Sequence, residues 1–200
     1  MRLSTEAERD EDLAAQTIAA ALDAGITVFD TARAYGQGET DLGHNERLLA
    51  RALIRARAGA GALSRPRVIT KGGMTRPAGA WVPDGRAKAI LSDCEASLTA
   101  LDGIPIDLYL LHAPDPRTPW RTSLRALQRL LDQGLIPHVG LSNINRAQLD
   151  EALGIVPVAA IEIALSIHDD RGLRAGLIER CEELGIVLIA HSPLGGPGRA

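Results

Sequence analysis

Aromatic residues are nearly missing from this chain of 200 residues, which has two Trp, two Tyr and one Phe. So sparse a set does not furnish the row of stacking rings on which single-stranded nucleic acid is held. Cysteine is equally rare. Cys94 and Cys181 lie far apart, each within a segment of helical period, and no C-x-x-C or H-E-x-x-H occurs. Both are expected as buried, reduced thiols, and no metal site is expected. Long apolar runs are lacking, since the longest, such as Ile186–Ala190, fall far short of a bilayer span. The opening Met1-Arg2-Leu3-Ser4-Thr5-Glu6 has no apolar h-region, so no signal peptide is expected. There is no large charge of one sign either: 22 Lys and Arg against 25 Asp and Glu leave a net −3. Composition therefore gives no electrostatic grip on nucleic acid or an anionic membrane. A cytoplasmic protein with no nucleic-acid and no membrane partner is the expectation.

What is present is an ordinary core-forming composition, 46% hydrophobic and 24% charged, over a length that suits one domain or most of one. Two patterns alternate along it. Short runs apolar on consecutive positions are Ile26–Phe29, Val68–Thr70, Ile106–Leu111, His138–Leu141, Ala159–Ile163 and Ile186–Ala190. Strands buried on both faces, as in a parallel sheet, read this way. Between them lie helical periods at Glu8–Ala24, Glu46–Arg57, Ala87–Leu101, Trp120–Asp132, Arg146–Leu153 and Gly172–Leu184. Gly25, Gly134 and Gly185 each stand between a helix and an apolar run, where a left-handed residue ends the helix. About six βα units follow, in an open doubly wound sheet or a (β/α)8 barrel. No G-x-G-x-x-G follows the first strand, which disfavours the open dinucleotide-binding sheet. The fold class is thus α/β, with a (β/α)8 TIM barrel favoured over the open sheet.

In such a barrel the chemistry sits at the C-terminal ends of the strands. Each apolar run delivers a polar group there: Asp30 with Tyr35 soon after, Lys71, His112, Ser142-Asn143, Glu162, and His191-Ser192. Taken singly, Asp30 reads as a helix cap, Lys71 as a surface charge and His112 as a core histidine. Independent structural roles would not all fall on one rim. Together the residue types make sense as carbonyl chemistry. A carbonyl that accepts hydride becomes an alkoxide and needs a proton. Tyr35 can supply it, and the Lys71 ammonium is expected to lower the phenol's pKa. Asp30 is the counter-charge that a buried Lys71 requires, and His112 can hydrogen-bond the carbonyl oxygen. A Schiff-base lyase or aldolase built on Lys71 is a competing reading.

Asp30-Thr31-Ala32-x-x-Tyr35-Gly36, Thr70-Lys71-Gly72 and Asp107-Leu108-Tyr109-Leu110-Leu111-His112 resemble the signatures of the aldo-keto reductases. Val139-Gly140-Leu141-Ser142-Asn143 resembles that family's G-[VL]-S-N strand, and Ala190–Gly196 its late strand and phosphate-side loop. The resemblance implies an NAD(P)H-dependent oxidoreductase that reduces an aldehyde, ketone or sugar, with NADPH (NADP) preferred to NADH. It implies Tyr35 as general acid, Lys71 and Asp30 as its tuning pair, and His112 as the residue that orients the carbonyl. It places Ser142, Asn143 and Glu162 at the nicotinamide carboxamide, Glu162 where the family commonly has Gln. His191 falls where many members stack an aromatic ring, and Ser192, Leu194 and Gly196 fall along the pyrophosphate. The Gly73–Asp84 loop, with Met74 and Trp81, is the expected substrate lining, and Trp120 is expected to pack beneath the His112 loop. The family's first strand, Leu-Gly-x-Gly-Thr, and its eighth strand have no counterpart here, so a single barrel domain over 1–200, truncated at both ends, is expected. That expectation carries an alternative function, a catalytically impaired pseudoenzyme or regulatory relative with weak cofactor binding. It also carries a monomer or an edge-mediated homo-oligomer.

Overall fold

Consecutive β-branched and aliphatic residues favour strands, and in a computed structural model of the chain all six apolar runs form them. The structure describes residues 3–59, 65–166 and 175–195. The strands are β1 (Val28–Asp30), β2 (Arg67–Gly72), β5 (Leu108–Leu111), β6 (Val139–Ser142), β7 (Val158–Ala164) and β8 (Val187–His191). They form one sheet in the order β1-β2-β5-β6-β7-β8, and every neighbouring pair is parallel. The strands follow chain order, and the sheet curls into a half-barrel. A separate antiparallel hairpin, β3 (Met74–Thr75) with β4 (Val82–Pro83), fills the loop after β2.

The helices are α1 (Glu11–Asp23), α2 (His44–Gly59), α3 (Ala87–Ala100), α4 (Trp120–Asp132), α5 (Arg146–Leu153) and α6 (Leu177–Leu184). Residues 172–174 of the expected last helix lie outside the described residues. Gly25, Gly134 and Gly185 all adopt the left-handed conformation expected at the helix ends, with φ of 84°, 67° and 65°. Local signals set several starts. Asp10 caps α1 through Leu13 N, and Asn145 caps α5 in a reciprocal capping box with Gln148. The apolar stripes of α2, α3 and α4 meet β2, β5 and β6 in one core that includes Leu53, Ile90, Leu101, Tyr109, Leu124, Leu127 and Leu141. Both cysteines are buried in it as free thiols.

Burial falls away towards the sheet edges. Every residue of β6 is buried, and every residue of β2 after Arg67. Val28 on β1 and Val187 on β8 are exposed, and neither strand has a second partner among the described residues. The curl gathers the C-terminal ends of all six strands on one rim. Trp120 opens α4, but its indole N–H donates to the Gln148 carbonyl at 3.2 Å, so it is tied to α5 rather than resting only beneath the His112 loop.

Candidate active site

Asp30 is the last residue of β1, and the chain beyond it is held by backbone pairing to β2. Thr31 N donates to Ile69 O at 2.9 Å and Arg33 N to Lys71 O at 3.1 Å. Polar anchors then place Tyr35. The Thr31 hydroxyl donates to Asn45 Oδ1 at 2.7 Å, Asn45 N donates to Tyr35 O, and Asp41 accepts from Arg9 and from Gln37 N. On β2, Lys71 points inward and is 1% exposed. The adjoining Gly72 has no room for a side chain, because a Cβ there would stand 1.9 Å from the Tyr109 hydroxyl. His112 follows β5, with its backbone N–H on Gly72 O at 2.9 Å.

These four side chains meet. Lys71 Nζ lies 2.7 and 2.5 Å from the two Asp30 carboxylate oxygens, 3.2 Å from the Thr31 carbonyl and 3.3 Å from the Tyr35 hydroxyl. The Tyr35 and His112 rings meet edge-on, with centroids 5.7 Å apart. Trp81 completes a triangle, 6.1 Å from Tyr35 and 5.8 Å from His112. The Arg76 guanidinium lies 3.7 Å from the Trp81 ring centroid and donates to Gly79 O and Ala34 O. Trp81, 47% exposed, thus overhangs Tyr35 and His112, whereas Met74 on the same hairpin is only 6% exposed.

The electrostatics follow from burial. Burial alone would push the Lys71 ammonium down, but Asp30, with Tyr35 and Glu162 whenever these are ionised, outweighs it and the pKa rises. Burial pushes the His112 imidazole down to about 3, helped by Lys71, His191 and Arg76, so the ring is neutral at pH 7. Tyr35 departs from the expectation raised by its sequence context. Burial lifts its pKa above the usual 10, Lys71 pulls it down, and Asp30 and Glu162 push it up again, for a net rise. The charge of Lys71 is offset by two carboxylates and by desolvation, so the phenol keeps its proton at neutrality.

The second half of the rim comes from β6, β7 and β8. Ser142 pairs in register with Glu162, and Asn143 N donates to Glu162 O at 2.9 Å. Asn143 Nδ2 donates to the His112 carbonyl and to Ser142 Oγ, both at 3.0 Å, and Asn143 Oδ1 lies 3.1 Å from His191 Nε2. Asn143 and Ser192 both hold left-handed backbone, at φ 57° and 54°, rare for residues other than glycine and concentrated at functional sites. Leu194 is 76% exposed on the same rim, and Gly196 lies outside the described residues.

The family model described as Aldo/keto reductase family matches residues 1–199. The chain belongs to the aldo/keto reductase family. Among solved structures it is similar to a glycerol dehydrogenase from Gluconobacter oxydans, at 30% identity over 94% of this chain and 56% of that one, TM-score 0.80. It is also similar to the thermostable aldo-keto reductase Tm1743 solved with the inhibitor epalrestat, at 29% identity over 96% of this chain and 64% of that one, TM-score 0.77. A third is the holo form of an aldo-keto reductase from Bacillus halodurans, at 27% identity over 94% and 58%, TM-score 0.76. The chain therefore spans 56% to 64% of the length of these family members.

Some members of this site carry no mark that sets them apart in the sequence. Arg76 and the hairpin turn it supports read only as a Pro-Ala-Gly loop. Glu46 is fully buried behind the rim and accepts from the Thr70 hydroxyl at 2.5 Å. It had a usable signal, because it shares the stripe of Leu49 and Leu53, where a solvated charge does not belong. Among the described residues no cluster of His, Cys, Asp and Glu is arranged to hold a metal ion. No helix among them is long and apolar enough to cross a membrane.

Proposed function

We propose that the chain reduces the carbonyl of an aldehyde, ketone or sugar with a nicotinamide cofactor, NADPH in preference to NADH, using Tyr35 as general acid. The observation that carries this reading is the Asp30–Lys71–Tyr35 chain, built around a buried Lys71 and ending beside a neutral His112. Tyr35 holds a proton at the pH where one must be given. Lys71, kept cationic by Asp30, stabilises the phenolate left behind when that proton goes to the oxygen. Neutral imidazole has one N–H to donate. Among the described residues no side-chain hydrogen bond occupies the His112 ring, which leaves it able to orient the carbonyl oxygen. Trp81 shields the oxygen side and forms the substrate wall, while Met74 contributes from beneath.

The nicotinamide end of a cofactor fits the residues present. Glu162 Oε2 is a buried oxygen with no hydrogen-bond partner, and the left-handed Asn143 and Ser192 turn backbone and side-chain groups to the rim. Ser142, Asn143 and Glu162 would hold the carboxamide, His191 the ring face, and Ser192, Leu194 and Gly196 the phosphates. When bound, the reduced nicotinamide supplies a hydride to the carbonyl carbon. The exposed strands β1 and β8 favour a second reading, a relative that binds cofactor weakly and turns over poorly. One experiment separates the two. NADPH is titrated by nicotinamide fluorescence, and turnover of 4-nitrobenzaldehyde is followed in the wild type and in Tyr35→Phe. The first reading expects a loss of about 10²-fold or more in kcat. Binding without Tyr35-dependent turnover would establish the second, and no binding at millimolar NADPH would overturn both.

A further inference from the structure

The reading above uses Asp30, Tyr35, Lys71 and His112 as a unit and gives the ionisable group beside them, Glu162, a contact with the carboxamide but no part in the proton transfer. Glu162 is 2% exposed on β7. Its neighbours in register are Ser142 on β6 and Ile189 on β8, neither of them charged. Its Oε2 stands 3.3 Å from Lys71 Nζ yet accepts no hydrogen bond. Counting donors gives the reason. An ammonium carries three N–H groups. Around Lys71 they face the Asp30 carboxylate, the Thr31 carbonyl at 3.2 Å and the Tyr35 hydroxyl at 3.3 Å. Glu162 is a fourth acceptor group for three hydrogens, and it stands as far from Nζ as the Tyr35 oxygen does.

We propose that Glu162 is a positioning residue that competes with the Tyr35 hydroxyl for the third ammonium hydrogen of Lys71, so that its charge state decides which of the two Lys71 holds. This deepens the reductase reading and rests on it for the role of Tyr35. As a carboxylate, Glu162 draws the ammonium away and adds negative charge beside the phenol, which then keeps its proton more firmly. As a neutral acid it leaves Lys71 to the Tyr35 oxygen, and the phenol gives its proton more readily. The groups that face Glu162 are Lys71 from β2, Asp30 from β1 and Tyr35 from the loop after β1. His112 at the end of β5 is neutral, and His191 lies further along β8. Burial raises the Glu162 carboxyl to about 7, with Asp30 adding to the rise and Lys71 opposing it. The exchange of Lys71 between its two acceptors therefore falls in the neutral range.

The test uses the whole chain and needs no turnover. Phenolate absorbance is titrated in the wild type and in Glu162→Gln, and the matching Tyr35→Phe titrations are subtracted to remove Tyr109. The expected result is a lower Tyr35 midpoint in Glu162→Gln, equivalent to about tenfold more phenolate at a fixed pH. In parallel, the Glu162 carboxyl carbon, labelled with ¹³C and assigned by backbone connectivity, is titrated in the wild type and in Asp30→Asn. It should titrate near neutrality and move down when the like charge of Asp30 is removed. An unchanged Tyr35 midpoint overturns the proposal, as does a Glu162 that titrates as an ordinary carboxyl and ignores Asp30→Asn. Should Glu162→Gln fail to fold, the carbon titration decides. A shifted midpoint without NADPH-linked turnover tells against the reductase reading alone, and turnover with an unmoved midpoint tells against this inference alone.

Discussion

A lysine buried as deeply as Lys71 would be expelled or discharged if it stood alone, because desolvation of an unpaired ion costs several kcal/mol. It is retained because carboxylates, a carbonyl and a phenol converge on Nζ. Beside it, Gly72 leaves the space that the Tyr109 ring and Asp93 of α3 fill against β2. We expect Gly72→Ala to destabilise the fold by about 1–3 kcal/mol, the cost of overpacking a filled site. Urea denaturation would measure it. Adding Tyr109→Phe removes the hydroxyl that a Cβ would meet at 1.9 Å, so the double variant should recover part of the loss. A purely additive loss would place the strain elsewhere.

At the scale of elements, the hairpin β3–β4 shows how a loop becomes a wall. Met74 and Thr75 pair with Pro83 and Val82, the Thr75 hydroxyl donates to Val82 O at 3.0 Å, and Arg76 bridges the turn to Ala34 O while covering Trp81. The hairpin is thereby fastened to the loop that carries Tyr35. Replacing Arg76 by Gln removes a cation–π contact of about 0.5–1 kcal/mol. We expect Trp81, read alone in a Trp120→Phe background, to become more accessible to acrylamide quenching. On the proposed reductase reading, KM for a carbonyl substrate should rise a few-fold in the same variant with kcat nearly unchanged, because the wall moves and Tyr35 does not.

Across the whole molecule, two buried groups pull stability in opposite directions with pH. His112 holds a value of about 3 when folded against 6.5 when free. Below 6.5 the unfolded chain gains a proton that the folded chain refuses, so stability falls as pH falls. Glu162 holds about 7 against 4.5. Above 4.5 the unfolded chain sheds a proton that the folded chain keeps, so stability falls as pH rises towards 7. Each slope is about 1.4 kcal/mol per pH unit at full strength, and between 4.5 and 6.5 the two offset one another. Glu162→Gln should therefore tilt the stability profile in that window upward with pH, by up to about 1.4 kcal/mol per pH unit. Urea midpoints at pH 5 and pH 6.5 would show it, and parallel profiles would mean that Glu162 titrates alike in the folded and unfolded chain.

The parallel sheet was legible from the sequence because strands covered on both faces leave continuous apolar runs, and helix-ending glycines leave a punctuation that survives without any tertiary context. The rim residues were legible as well, since each apolar run ends where its polar residue begins. Two features depended on geometry alone. The hairpin's short strands carry too few residues for a periodic signal, so Arg76 could not be linked to Trp81. The sign of the Tyr35 shift was also hidden, because it is a balance of burial, one ammonium and two carboxylates drawn from separate elements of the fold. The sequence by itself determined which residues face the rim, through local periodicity and strand ends. Tertiary structure alone decided how Lys71 shares its hydrogens, because distance and desolvation, which set that division, exist only once the strands have been brought together.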